Sequence, residues 1–357
     1  MPGERDVYQA RLAAWLPRAA EAGLTTVVDA WSAAPTEEDA YEILNRLEDE
    51  GRLNLRVFGS IVQEATPREM VARFKEFKSR YSGDRVRPEA VKLFADGGPE
   101  AHTSFLLTPY IDRPGEDYGQ PMMTKVDLTD HVTTYFEADI PVHVHAVGDG
   151  AVRMTLDAIA DARRATGNQE VRATIAHMDY VSPEDVPRFG ALGVTAQTSI
   201  HFATRDPSYF FLADFVGTQK VESAYPIRTL MDAGANQSFG TDWPASIFLT
   251  TYKPLMSIEV AVTRRLPENT EIPPRNPDEA ITLAEAITAM TRNTAIQIGE
   301  LDSLGTLAVG KHADLVLLEK DLFSIAPETI HTVPVEMTML SGKSVYRRGG
   351  ALTTPSP

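Results

Sequence analysis

Short apolar runs rich in β-branched residues alternate along this chain with longer stretches that carry apolar positions at helical spacing. Seven of these runs have the length and flanking turn residues of buried strands, and they cover residues 25–29, 55–62, 90–94, 140–145, 172–177, 194–197 and 236–240. Helices are predicted over residues 8–22, 67–81, 128–138, 151–166, 183–192, 222–233 and 283–298. This alternation is typical of a parallel sheet covered by helices, so the sequence predicts an α/β fold.

The predicted strands are one fewer than the eight that close a (β/α)8 barrel. The first predicted helix precedes the first predicted strand, so the strand without a counterpart is the one that would open the barrel. We therefore expect residues 1–300 to form a TIM-like (β/α) barrel that lacks its first strand and is open at that position.

Two other segments depart from the alternation. Residues 304–321 and 335–350 have strand patterns separated by turn residues, which predicts a small antiparallel β unit within a second domain at residues 301–357. The stretch at residues 96–125 holds four prolines and is too long for an ordinary loop between a strand and a helix. This stretch is interpreted either as a lid over a site or as a disordered insertion.

Charge and composition narrow the choice of partners. The chain has 34 Lys and Arg residues against 50 Asp and Glu residues, and a net charge of -16 disfavours nucleic acids and anionic membranes. There is no Cys, so a metal ion would need His, carboxylate or modified Lys ligands. The chain has no run of 18 apolar residues and its first residues do not resemble a signal peptide. We therefore expect a soluble, cytoplasmic protein.

Four polar residues stand at the ends of separate predicted strands. Lys92 lies in VKLFADGG, His145 in PVHVHAVGDG, His177 in ATIAHMD and Asp242 in SFGTDWP. Because the carboxyl ends of barrel strands share one mouth, we expect the four side chains to converge on one pocket. Two imidazoles and a carboxylate supply most of a tetrahedral shell suited to zinc or a similar divalent ion.

Lys92 needs a further explanation, because a buried ammonium group is costly without compensation. A carboxylate partner, a lowered pKa or a covalent modification would each reduce this cost. A carbamate formed with carbon dioxide would turn Lys92 into an anionic oxygen ligand.

Four further residues are weaker candidates for substrate binding. His143 lies two residues before His145 and faces the same side of the strand, so it is either a second ligand or, as we favour, a packed residue one layer deeper. His201, in QTSIHF, is either a substrate contact or an ordinary loop histidine. His102 and Asp96 lie in the long stretch at residues 96–125.

Five motifs resemble, in the correct order, signatures of the amidohydrolase superfamily and of its amidohydrolase-3 branch, which includes N-substituted formamide deformylases. They are VKLFADGG, HVHAVGDGAV, IAHMDYVSPEDVPRFGALGV, LMDAGANQSFGTDWPAS and LGTLAVGKHADLVLLEKD. The resemblance implies a distorted (β/α)8 barrel with a small β-sandwich, a divalent metal site and hydrolysis of carbon–nitrogen bonds. It also implies that Lys92 is the often carboxylated lysine, that His145 and His177 bind metal, and that Asp242 binds metal and transfers a proton.

The chain departs from that family at its amino end, where the first strand with its His-x-His pair and half of the β-sandwich have no counterpart. The sequence is then either a fragment of a longer enzyme or a natural short form that keeps one metal ion on Lys92, His145 and His177. The leading interpretation is a hydrolase of small-molecule amides at non-peptide carbon–nitrogen bonds. A catalytically silent binding protein and a deaminase of the same superfamily are the alternatives, and the open barrel edge makes a homo-oligomer plausible.

Overall fold

A curled sheet of seven parallel strands forms the centre of this computed structural model, which describes residues 3–113, 115–244, 251–269 and 271–350. The strands pair in chain order and are β1 Thr26–Asp29, β2 Arg56–Val62, β3 Val86–Phe94, β4 Val142–Ala146, β5 Ala173–His177, β6 Thr195–Ser199 and β7 Asn236–Gly240. Within the described ranges, β1 pairs only with β2, and β7 pairs only with β6. The sheet therefore has one unpaired edge at each end.

Helices connect the strands and cover the outer face of the sheet. They are α1 Glu4–Glu21, α2 Glu37–Asp49, α3 Pro67–Arg80, α4 Lys125–Glu137, α5 Asp149–Thr166, α6 Val186–Ala191, α7 Pro207–Val216, α8 Thr218–Glu222, α9 Ile227–Asp232, α10 Pro254–Thr263, α11 Leu283–Met290 and α12 Arg292–Gln297. Four of them begin after a threonine whose side chain accepts a backbone N–H of the first turn, namely Thr36, Thr66, Thr124 and Thr282. Of the helices described, none is both long and apolar enough to cross a membrane.

The alternation of side chains along the strands separates the two faces of the sheet. Val91, Val144 and Ile175 on β3, β4 and β5 are fully buried in the hydrophobic core beneath the outer helices. Lys92 and His145 occupy alternate positions on β3 and β4, so their side chains point to the opposite, concave face. The pattern that builds the core therefore also places the polar residues inside the curled sheet.

The expected α/β fold with seven parallel strands is confirmed, whereas two predicted helices are wrong in extent. The helix predicted over residues 222–233 is interrupted before Pro226, which has no N–H to continue it, and Tyr225 has a positive φ of 58°. The helix predicted over residues 283–298 is broken at Thr291, where φ is -125° and ψ is -85°. Helices α2, α7 and α10 are not predicted from the sequence, and neither is α8 except for its last residue.

The stretch at residues 96–125 is a folded loop in its described part. Within the loop, the backbone N–H of Leu106 donates a hydrogen bond to the Tyr118 carbonyl at 2.8 Å. The N–H of Ile111 donates to the Phe215 carbonyl, at the end of α7, at 2.8 Å. Leu106 and Tyr110 are buried. A disordered insertion does not describe these residues, whereas movement of the loop as a lid stays a prediction.

A small antiparallel sheet follows residue 301, as expected. Its strands are β8 Leu315–Leu318, β9 Val335–Leu340 and β10 Lys343–Arg347, in the order β8-β9-β10. The sheet packs on α1, where the Thr338 hydroxyl donates to the Ala20 carbonyl at 2.7 Å. The domain boundary at residue 301 itself stays a prediction.

A buried ion pair joins the parallel sheet to the region of the small sheet. Arg56, at the start of β2, donates from Nε to Asp314 Oδ2 at 2.7 Å, and the two side chains are 1% and 6% exposed. Asp314 also accepts the backbone N–H of Ser341 at 2.7 Å. The carboxylate therefore compensates a guanidinium that water cannot reach.

We expect Asp314→Ala to lower the free energy of unfolding by about 3–5 kcal/mol, because the variant leaves the charge of Arg56 buried without a carboxylate. The matched control is Glu319→Ala, which breaks an exposed pair with Arg348 in the same part of the chain. Such pairs contribute about 0–1 kcal/mol. Urea denaturation measures both variants, and equal losses would contradict the assignment.

Candidate active site

A cavity of about 1850 Å³ extends beside the unpaired edges of the sheet. Lys92, His143, His145, His177 and Asp242 line it. The structure thus brings together the four strand-end residues that the sequence singles out as metal ligands. The remaining walls are mainly apolar and include Trp15, Val27, Leu255, Ile298 and Leu304.

His145 and His177 lie side by side at this site. Their ring centroids are 4.3 Å apart, because β4 and β5 pair with Ala146 opposite His177. His177 ends β5 with a φ of 75°, and its Nδ1 lies 2.9 Å from the Ser199 hydroxyl on the next strand. This contact orients the ring and leaves Nε2 for a ligand.

Both imidazoles are neutral near pH 7. Burial, followed by the charge of Lys92, lowers the pKa of His145 to about 3. Burial also lowers the pKa of His177 well below its usual value, with smaller contributions from His145 and Lys92. The neutral imidazole is the form that binds a metal ion.

Lys92 is buried at the base of the site, with 3% of the residue exposed. Among the described residues, no carboxylate oxygen lies within 4 Å of its ammonium group, whose nitrogen is 5.3 Å from the centre of the Phe94 ring. Burial lowers the pKa of Lys92 to about 8, while the charge of Asp242 acts in the opposite direction. At a given pH near neutrality, a larger fraction of Lys92 is therefore in the neutral amine form than for a lysine in water.

Asp242 lies two residues after the end of β7, the last strand of the parallel sheet, and has a φ of 58°. Its side chain is exposed toward the cavity. The surrounding protein still removes enough water to raise the pKa of this carboxyl, and Lys92 opposes the rise. Asp242 can therefore exchange protons with a molecule in the cavity.

These residues fit a divalent metal ion only if Lys92 contributes. In the part of the chain that the structure describes, no three His, Asp or Glu side chains are grouped closely enough to hold an ion. His145 and His177 offer two neutral imidazoles side by side, with ring centroids 4.3 Å apart. A lysine-derived oxygen in the same cavity would supply a third ligand.

His143 lies in the cavity wall below His145 on β4. It is 2% exposed, it faces Lys92 in the register of β3 and β4, and burial lowers its pKa well below the usual value. Its buried Nε2 has no hydrogen-bond partner among the described residues. A role of His143 in substrate binding, like its role as a packed residue of a deeper layer, stays a prediction.

The other three candidates are not among the described residues that line the cavity. His201 is buried, with its Nε2 2.9 Å from the Ser257 hydroxyl. His102 contacts Asp112 in the loop, where Nε2 and Oδ2 are 2.8 Å apart. Asp96 is fully buried. The substrate-binding roles expected for these residues stay predictions.

Two features of the cavity wall are not predicted from the sequence. Asp29 ends β1 and lines the cavity, and burial raises its pKa to about 6. Its place at the end of an apolar run is the same signal that singled out Lys92. Trp31 packs edge-on against Phe94 at 5.6 Å, and Phe94 in turn lies 5.5 Å from the His145 ring. These aromatic rings give the site an apolar side.

Comparison with known proteins agrees with the resemblance that the motifs show. The model of the Amidohydrolase family matches residues 1–346. The YtcJ protein of Bacillus subtilis is 28% identical over 280 residues, which are 78% of this chain and 51% of YtcJ. The N-substituted formamide deformylase of Arthrobacter pascens is 26% identical over 268 residues, which are 74% of this chain and 47% of the deformylase. The chain spans about half the length of these relatives.

A solved structure agrees with the fold. An uncharacterized metal-dependent hydrolase from Pyrococcus furiosus superposes with a TM-score of 0.69 and is 26% identical. The match covers 87% of this chain and 59% of the hydrolase. The curled parallel sheet and the relatives therefore point to the same family.

We expect Lys92→Met to raise the free energy of unfolding of the metal-free chain by about 1–3 kcal/mol at pH 7, because it removes a buried ammonium group. The pKa of Lys92 is about 8 in the folded chain and 10.5 in the reference state. Wild-type stability should therefore rise between these two pH values, and the advantage of the variant should shrink as it does so.

Chemical denaturation at pH 7 and at higher pH measures this effect. Lys220→Met is the matched control, because Lys220 pairs with Asp149 at 2.6 Å and its loss should destabilise the chain. A loss of stability in Lys92→Met at pH 7 would contradict the interpretation of Lys92 as an undercompensated cation.

Proposed function

This chain belongs to the amidohydrolase family, and we propose that it hydrolyses non-peptide carbon–nitrogen bonds of small-molecule amides with the help of a divalent metal ion. The observation that carries the proposal is the pair of neutral imidazoles, His145 and His177, next to the buried Lys92 in one cavity. The fold shared with a metal-dependent hydrolase supports the requirement for a metal.

Zinc suits this set of nitrogen and oxygen ligands. His145, His177 and a carbamate on Lys92 would hold the ion. To form the carbamate, the neutral amine of Lys92 attacks the carbon of carbon dioxide and releases one proton, so that a neutral amine becomes an anionic oxygen ligand. The lowered pKa of Lys92 favours this reaction, because it supplies the neutral amine.

When bound, a divalent ion polarises an amide carbonyl and lowers the pKa of a water molecule toward neutrality. Asp242 accepts the proton that the attacking water loses and returns it to the leaving nitrogen. Such proton transfer contributes about 10²–10⁴-fold to a rate when the group is within hydrogen-bond reach. The raised pKa of Asp242 makes the return of this proton easier.

A finer part of the proposal concerns the unpaired edges of β1 and β7. We propose that an eighth strand pairs between them to complete a (β/α)8 barrel and covers the apolar walls of the cavity. In the family that the motifs resemble, this strand carries a His-x-His pair, whereas the His-x-His of this sequence is His143 and His145 on β4. With a carbamate on Lys92, the residues of this site would hold one ion and not two.

A catalytically silent binding protein is the second candidate. The absence of three grouped His, Asp or Glu side chains within the described residues favours it, as does the largely apolar cavity. In that case the cavity would bind a ligand without hydrolysing it. Metal content and hydrolysis, measured on the same sample, separate the two functions.

We expect the 357-residue chain to bind at most one zinc ion, weakly, and His177→Ala to abolish this binding. Equilibrium dialysis with zinc, in buffer with bicarbonate, measures the metal content. His131→Ala, on the outer helix α4, is the control and should bind zinc as the wild type does. Unchanged binding by His177→Ala would contradict the site.

Hydrolysis is tested with a panel of N-substituted formamides, by measuring formate and amine. We expect slow metal-dependent release of both products, and release of ammonia from amine-bearing substrates would favour a deaminase. Full zinc loading without hydrolysis of any amide would favour the silent binding protein. Two tightly bound ions with rapid hydrolysis would contradict the one-ion site.

Extension of the chain by an amino-terminal strand with a His-x-His pair should raise both zinc affinity and the hydrolysis rate, because the strand supplies ligands and buries the cavity walls. The control is the same extension with both histidines replaced by alanine. This control should stabilise the chain without a second ion. Equal zinc content in the two extended chains would contradict the placement of this strand next to the metal site.

A further inference from the structure

The carboxylate of Asp96 is fully buried at the point where the chain leaves β3. Its Oδ1 accepts the backbone N–H of Val147 at 2.9 Å, and its Oδ2 accepts those of Gly148 and Phe105 at 2.9 Å each. A carboxylate has about four acceptor positions. Three are therefore used, and the remaining one is on Oδ1.

The His145 ring can supply a hydrogen-bond donor for this remaining acceptor position on Asp96. Its Nε2 lies 3.8 Å from Asp96 Oδ1, slightly beyond hydrogen-bond distance. This nitrogen is buried without a hydrogen-bond partner among the described residues. Because an unpaired polar atom in the interior is costly, each group supplies what the other lacks.

We propose that Asp96 is a positioning residue that accepts a hydrogen bond from His145 Nε2–H and thereby leaves His145 Nδ1 as the nitrogen that faces the metal ion. The metal part of this inference rests on the proposed function. A histidine that binds a metal commonly donates its other ring N–H to a carboxylate, which fixes the tautomer and the ring orientation. His177 has the opposite arrangement, with Nδ1 engaged by Ser199.

The loop at residues 96–125 holds this carboxylate in place. The Phe105 carbonyl accepts the backbone N–H groups of Gly150 at 3.0 Å and Ala151 at 3.2 Å. A Cβ at Gly148 would lie 2.0 Å from the Phe105 carbonyl oxygen, so the turn after β4 and the loop are in contact with no space between them. Asp96 can therefore not shift unless the loop shifts with it.

Asp149 provides a matched control for loop anchoring. Its Oδ1 accepts the backbone N–H of Leu107 at 2.9 Å, and its Oδ2 pairs with Lys220 at 2.6 Å. No histidine nitrogen among the described residues lies within 4 Å of this carboxylate. Asp149→Asn thus weakens the anchoring of the same loop without touching His145.

The first experiment determines the tautomer of His145 by long-range ¹⁵N–¹H correlation in the metal-free chain at neutral pH, with assignment by His145→Gln. We expect the wild type to carry the proton on Nε2. Asp96→Asn should shift the population toward the Nδ1–H form, and Asp149→Asn should leave it unchanged. A wild-type ring protonated on Nδ1 would overturn the proposal, even if Asp96→Asn fails to fold.

The second experiment measures zinc affinity and the visible spectrum of the cobalt-loaded chain. We expect Asp96→Asn to weaken metal binding about 10–100-fold and to change the cobalt spectrum, as is typical for partners of ligating histidines. Asp149→Asn should keep the wild-type spectrum. Equal effects of the two variants would overturn the proposal and leave loop anchoring as the only role of Asp96.

The two experiments separate this inference from the proposed function. Failure of the wild type to bind any metal would refute the metal-dependent hydrolase, whereas the tautomer of His145 would still test its contact with Asp96. Metal binding with an Nδ1–H tautomer would refute the contact and leave the hydrolase standing.

Discussion

The two-residue repeat of the parallel strands is the constraint on which the rest of this structure depends. On β3, Val91 faces the helices and Lys92 the concave side, and on β4 the same relation holds for Val144 and His145. Each valine that builds the core thus fixes the direction of the polar residue beside it. A slip of one residue in the pairing of β3 and β4 would bury the polar groups under the helices and abolish core and site together.

This constraint explains why so much could be predicted from the sequence. Seven apolar runs, each ended by turn residues, were sufficient to place every strand of the sheet, and the strand-end positions of Lys92, His145, His177 and Asp242 were sufficient to bring them to one cavity. Both conclusions use only the spacing of apolar residues along the chain and the common direction of parallel strands. They did not require knowledge of any contact between distant residues.

The features that were missed depend on contacts that have no local signal. The break at Thr291 interrupts a pattern that is continuous in apolar period, and the burial of Arg56 against Asp314 joins residues 258 positions apart. Asp96 is the clearest case. The sequence shows an acidic residue in a Gly-rich loop, which suits substrate binding, but the three backbone N–H groups that surround its carboxylate come from Phe105, farther along the same loop, and from Val147 and Gly148 after β4.

Burial of the titratable groups at this site costs stability, because it removes them from water. The same desolvation sets the protonation state of each group. Desolvation lowers the pKa values of Lys92, His143, His145 and His177 and raises that of Asp242. Each shift favours the neutral form of a group that is charged or easily charged in water. Neutral amine and imidazole nitrogens are the forms that react with carbon dioxide and bind a metal ion. The hydrophobic core under the outer helices therefore does more than stabilise the sheet, because it supplies the free energy that keeps the three histidines unprotonated and brings the pKa of Lys92 closer to neutrality.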